Sequence, residues 1–186
     1  VYVGGKQETT VVLRGLGKRS KLDRRALRGW LTSVLDEAAR DGHKKPHLRL
    51  PDHPTVEGVE GALFVHKNVA LHGYLFDEHR KRSKQPRLRD VSVQAGEGEE
   101  DAHREGRRLA LKIADGVATT RDLANTPPNI ATPEWMAEQA RAIGEARGMK
   151  VTVLGVDELE ERGMGGLLAV GGGSVNPPRL ARLEWG

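Results

Sequence analysis

Between Thr119 and Trp135 the chain reads TTRDLANTPPNIATPEW, and this stretch decides what the chain can fold into. Pro127 and Pro128 lack the amide hydrogen that a helix interior needs, so no helix runs through them. Thr126 is pushed out of helical geometry by the proline after it, and Asn125 and Asn129 suit turns on either side. Both flanks are helical. From Glu99 to Ala124, Leu109, Ile113 and Val117 lie four apart on one stripe, with Ala110, Ala114 and Ala118 beside them for close packing. After the turn, Thr132 is a good N-cap, Pro133 takes the first helical position and Glu134 favours the positive end of the helix dipole. Met136, Ala140 and Ile143 predict the buried stripe of this second helix, and Gly148 its end. The segment is read as an articulation: a connecting helix ends, the chain turns rigidly, and a second domain begins.

The rest of the chain alternates strand and helix patterns. TTVVLRGLGKRS (9–20) predicts a buried strand running into a turn. From Lys21 to Arg40, Leu27, Leu31, Val34, Leu35 and Ala38 recur at three- and four-residue steps, which predicts a helix stopped by Gly42. Residues 43–54 read as a proline-punctuated loop with a short strand at 47–50. Residues 57–79 suit either a helix with Val65, Val69 and Phe76 inward or two short strands, and the helix is favoured. A cationic loop (80–90) closes with a strand near LRDVSV, and QAGEGEED (94–101) reads as exposed. In the last third, MKVTVL (149–154) predicts a strand. Asp157 and Glu160 have capping-box spacing for a short helix ending at Gly163. GLLAVGGGS (166–174) is an apolar run dissolving into glycines, and RLARLEW (179–185) reads as a strand. Helix and strand in this order signal α/β architecture.

Composition narrows the function classes. The 186 residues suffice for one large domain or one and a half ordinary ones. Cysteine is absent, which excludes disulfides, zinc–thiolate sites and cysteine nucleophiles and fits a reducing cytoplasm. No apolar run approaches the roughly 18–20 residues of a membrane span. VYVGGKQETT has neither the basic nor the apolar region of a signal peptide. Charge is uneven. Residues 1–90 carry 19 Lys and Arg against 11 Asp and Glu, whereas residues 91–186 carry 11 against 15. A basic half of this kind suits nucleic acid or an acidic partner.

The candidate chemical motifs are weak. Seven histidines invite a metal, but Pro46 separates His43 from His47 and breaks the helix that such a pair would need. His66, His72 and His79 lie six and seven apart and lack flanking carboxylates of the usual kind. Solvated or packed roles are the plainer reading. GMGGLLAVGGGS could cradle a phosphate through backbone N–H groups, yet it matches no phosphate-loop signature. Close backbone packing, or a loop shaping a neighbouring site, are its other readings. HRKRSKQPRLR (79–89) could meet backbone phosphates or an acidic subunit, but no aromatics interleave to stack bases. Ser174 follows glycines without a nucleophile elbow. No carboxylate pair stands out as catalytic.

Two stretches carry a resemblance. RDLANTPPNIATPEWMAEQA, followed by GMKVTVLGVDELEERGMGGLLAVGGGSVNPPRLARLEW, resembles the leucyl aminopeptidase family of two-metal cytosolic peptidases. ALHGYLFDEHRKRSK (70–84) and VVLRGLGKRSKL (11–22) resemble its N-terminal domain more weakly. The resemblance implies an α/β fold in three parts. These are an N-terminal macro-like accessory domain (1–95, without its first strands), a long linker helix (96–124) and the start of a catalytic α/β domain (125–186).

It also implies hydrolysis of N-terminal amino acids from peptides, leucine-like residues preferred, in a cytoplasmic homo-hexamer. Two divalent ions, Mn or Zn, would be bound by groups that follow the strand RLARLEW resembles. No position here matches a metal ligand, a catalytic group or a substrate-binding residue of that family. The expectation is therefore an N-terminal or interior piece, inactive alone, whose partner is the remainder of the catalytic domain on the same gene product or a companion chain. The other reading is a DNA-binding or assembly module built on the basic half, DNA binding being a second role of some family members.

Overall fold

The computed structural model describes residues 2–3, 9–78, 88 and 90–186. The chain forms two compact units, Val1–Thr120 and Arg121–Gly186, and its mixture of helices and small sheets is of the α/β class.

The core of the first unit is assembled by helix α1 (Arg24–Arg40). Asp23 caps it, its Oδ1 accepting from the Ala26 N–H at 2.7 Å, which satisfies a donor that the first helical turn leaves without a partner. Leu27, Leu31 and Leu35 recur every four residues and so share one face, and all three are buried. They pack with Leu22, Leu48, Val56 and Val65. Val65 comes from α2 (Gly58–His72), which ends at Gly73. Arg24 of α1 reaches Glu60 of α2 at 3.0 Å, an exposed pair of the kind worth well under about 1 kcal/mol. Strands β3 (His47–Arg49) and β4 (Ser92–Gln94) pair in parallel, Leu48 opposite Val93. The long helix α3 spans Glu100–Asn125.

Several sequence expectations are corrected in this unit. Among the described residues near the start, paired strand comprises β1 (Tyr2–Val3) with β2 (Thr9–Thr10), antiparallel. Val11, Val12 and Leu13 are exposed rather than a buried strand, since β-branched character favours a strand without ensuring that it is buried. Phe76 lies beyond the end of α2, half-buried. On α3 the buried stripe is His103, Gly106, Ala110 and Ala114, whereas Ile113 is exposed. Close approach selects the small residues: a Cβ on Gly106 would stand 2.6 Å from the Ala62 Cβ and from the Leu63 backbone nitrogen. The cationic stretch 79–87 and Arg89 lie outside the described residues.

The second unit begins with the last residues of α3. Thr126, before the proline pair, is buried, and its hydroxyl donates to the Asp122 carbonyl at 2.7 Å. Helix α4 (Pro133–Ala146) starts as expected, with Thr132 Oγ1 accepting from the Trp135 N–H at 3.2 Å. Thr132→Ala should cost the second unit about 1 kcal/mol, read as a lower urea midpoint, whereas Thr132→Ser should hold it. The antiparallel strands β5 (Lys150–Leu154) and β6 (Leu180–Glu184) lie against α4.

The buried face of α4 is Ala137 and Gly144, and Met136 is exposed. The expected stripe is thus turned by one residue. Gly144 permits it, since a Cβ there would meet Val151 Cγ2 at 2.2 Å. Helix α5 (Val156–Glu161) is capped at Gly155, whose N–H donates to Glu158 Oε2 at 2.5 Å, so Asp157 is not the cap. GLLAVG belongs to a short helix, α6 (Gly165–Gly171).

Candidate functional site

The histidines show what chemistry the first unit can hold. His47 Nδ1 lies 2.7 Å from Ser92 Oγ, across β3 and β4. His53 Nδ1 accepts from the Thr55 N–H at 3.2 Å. His72 Nε2 lies 2.9 Å from Asp36 Oδ1, joining α2 to α1. His43 is exposed, and His79 lies outside the described residues. These are local structural roles, and no two of these imidazoles converge with carboxylates. Among the described residues no group of three or more His, Asp or Glu could hold a metal ion. The described residues therefore do not fit the paired divalent ions that the family resemblance implies.

One pair was not anticipated from the sequence. His66 of α2 and His103 of α3 meet edge to face, ring centroids 5.4 Å apart, with His66 Nε2 3.3 Å from His103 Nδ1. His103 is 8% exposed. Burial first, then His103 and Arg107, push the His66 imidazole down from its ordinary 6.5 to about 4. The stripe His103, Gly106, Ala110, Ala114 at steps of three, four and four was the available signal, since it places a histidine on the face with the smallest side chains. A shallow groove beside the pair is lined by His66, His72, Asp90, Arg107 and Leu111. Among the described residues it brings no nucleophile beside a base.

The remaining motifs resolve into structure. Ser174 Oγ accepts from the Asn176 N–H at 3.1 Å, a local turn. Gly171 sits where a Cβ would meet Pro178 Cγ at 2.6 Å, while Gly165, Gly166 and Gly173 have open space. Close packing thus accounts for Gly171 and bears on Gly172, where a Cβ would stand 3.1 Å from the Leu168 carbonyl oxygen. Among the described residues no helix is long and apolar enough to cross a membrane.

This arrangement, two small α/β units with a turn after a long helix, has relatives. Residues 118–186 match the model of the cytosol aminopeptidase family, catalytic domain. A probable cytosol aminopeptidase of Pseudomonas fluorescens is 34% identical over 180 residues, covering 94% of this chain and 36% of the relative. One from Acidithiobacillus ferrooxidans is 36% identical over 192 residues, 98% of this chain and 38% of its own.

Among solved structures, the bottromycin maturation enzyme BotP in complex with Mn superposes with a TM-score of 0.75 at 26% identity, over 91% of this chain and 35% of that one. A mutant of tomato leucine aminopeptidase gives 0.74 at 23%, over 88% and 34%, a likeness of fold. Residues 118–186 thus resemble the catalytic domain of the cytosol aminopeptidase family. The chain resembles those enzymes along nearly all its length, and it spans a little over a third of the length of the curated relatives it matches.

Proposed function

We propose that these residues are the N-terminal part of a metal-dependent leucyl aminopeptidase, a hydrolase that removes N-terminal amino acids from peptides. In this reading residues 1–95 are the accessory domain, 96–124 the linker helix and 125–186 the start of the catalytic domain. One observation carries it: an alignment at 34% identity runs through 94% of the chain, so that it enters both units. Two divalent ions, manganese or zinc, would polarise the scissile carbonyl and lower the pKa of a bridging water. The proposal assigns their ligands, and every catalytic and substrate-binding group, to residues outside these 186. The working protein is a cytoplasmic homo-hexamer in this reading.

The test is hydrolysis of a leucine-terminated peptide with manganese or zinc added. The 186-residue chain alone should release no leucine, and calorimetry should detect no tight metal binding. Adding the remainder of the catalytic domain in the same polypeptide should bring turnover. Leucine release by the unaccompanied chain, or none by the completed one, would overturn the reading.

A further inference from the structure

Helices α2 and α3 meet through one narrow crossing with a polar contact on either side. At the crossing Gly106 lies against Ala62, too closely for any side chain at 106. On one side Glu99 Oε2, just ahead of α3, accepts from the Gly58 N–H at 2.6 Å. On the other, His66 meets His103. Residues 58, 62 and 66 form one stripe of α2 at four-residue spacing. The first two turns of α3 thus rest on a glycine contact and two polar fasteners.

A hydrogen bond between two imidazoles needs one nitrogen without a proton to accept it. When both rings are doubly protonated no acceptor remains, and two cations face one another with Arg107 beside them. We propose that the His66–His103 pair is a pH-sensitive clasp that holds the start of α3 against α2 at neutral pH and lets it go in acid. Among the described residues, the groups facing His66 are His103 and Arg107 from α3, His72 from α2 and Asp90 ahead of β4. Asp90 alone among these favours a charged imidazole. Burial, His103 and Arg107 prevail over it, because the net movement of His66 is downward.

The direction follows from linkage. The clasped ring stays neutral down to about pH 4, whereas a released, hydrated histidine takes up its proton near 6.5. The released form therefore binds more protons between those values. The clasp is fully present above pH 6.5 and is lost as pH falls through 4.

Amide hydrogen exchange on the 186-residue chain, corrected for intrinsic rates, tests this. Protection at residues 103–107 should fall on the order of tenfold between pH 7 and pH 5, while the leucine face of α1 holds its protection. His66→Gln, which can hydrogen-bond without titrating, should flatten that response. Carbon-bound imidazole proton resonances of the unmodified chain give a readout independent of any variant, and His66 should titrate well below 6.5. An unchanged protection at 103–107, the same fall in His66→Gln, or a His66 titration near 6.5 would each overturn the clasp.

Discussion

Gly61→Ala is expected to destabilise the first unit by about 3 kcal/mol, whereas Gly116→Ala should stabilise by up to about 1 kcal/mol. Both glycines are helical, so intrinsic propensity favours alanine at each. The surroundings decide the sign. A Cβ at Gly61 would stand 2.2 Å from the Val56 carbonyl carbon, 2.5 Å from its oxygen and 2.7 Å from its Cα. All three are main-chain atoms and cannot swing aside as the tip of a side chain can. Relief requires the start of α2 to move, which breaks the Gly61 N–H to Glu57 carbonyl bond of 3.2 Å and pulls Val56 from the core. Gly116 is exposed on α3, with nothing within 4 Å of its would-be Cβ. Urea midpoints of the two variants should move in opposite directions. An unchanged midpoint for Gly61→Ala would mean that the approach to Val56 is looser than described.

The second large effect is expected from Leu31→Ala, a loss of about 2–5 kcal/mol. Leu31 is 1% exposed, between Leu27 and Leu35 on α1. Truncation removes methyl and methylene groups from an apolar site and leaves a hole that neighbours on two elements fill poorly. Leu31→Met keeps the volume and should cost under about 1.5 kcal/mol. Exposed Leu13, 82% accessible, is the comparison: Leu13→Ala should fall within about 0.5 kcal/mol of the parent. Chemical denaturation of the three variants checks the ordering, and a Leu31→Ala value near that of Leu13→Ala would contradict the assigned core.

The ease of reading α1 and the difficulty of reading α3 and α4 share a cause. In α1 the hydrophobic residues are also the buried ones, so periodicity names Leu27, Leu31 and Leu35 directly. In α3 and α4 the contact faces are made of alanine and glycine, chosen for closeness. A reading led by hydrophobicity therefore favours Met136 on α4 over Ala137 and Gly144, and Ile113 on α3 over Ala114. Helix termini fared better, since Thr132 and Gly148 act through their own backbone neighbourhood. The His66–His103 contact joins residues 37 apart in sequence. The small-residue stripe places His103 on the contact face of α3, but its partner is set by the crossing of two helices and not by a local pattern. The resemblance to cytosol aminopeptidases was legible because the turn with Pro127 and Pro128 and the strands after it are local and distinctive. The start of the first unit was not, since Val11 to Leu13 satisfy strand propensity yet are exposed.

Strands β3 and β4 align His47 with Ser92, and 45 residues separate the two ends of that ladder. Chain of that length must be drawn closed before a single rung can form, and the entropy of closure precedes any reward. The contacts within α1, by contrast, need only the neighbouring turn. The order of assembly follows: α1 can gather its leucines early, and the parallel rungs form late, once α2 is in place to bring the distant segment back. During synthesis, His47 therefore waits for its partner strand until residues well past α2 have left the ribosome.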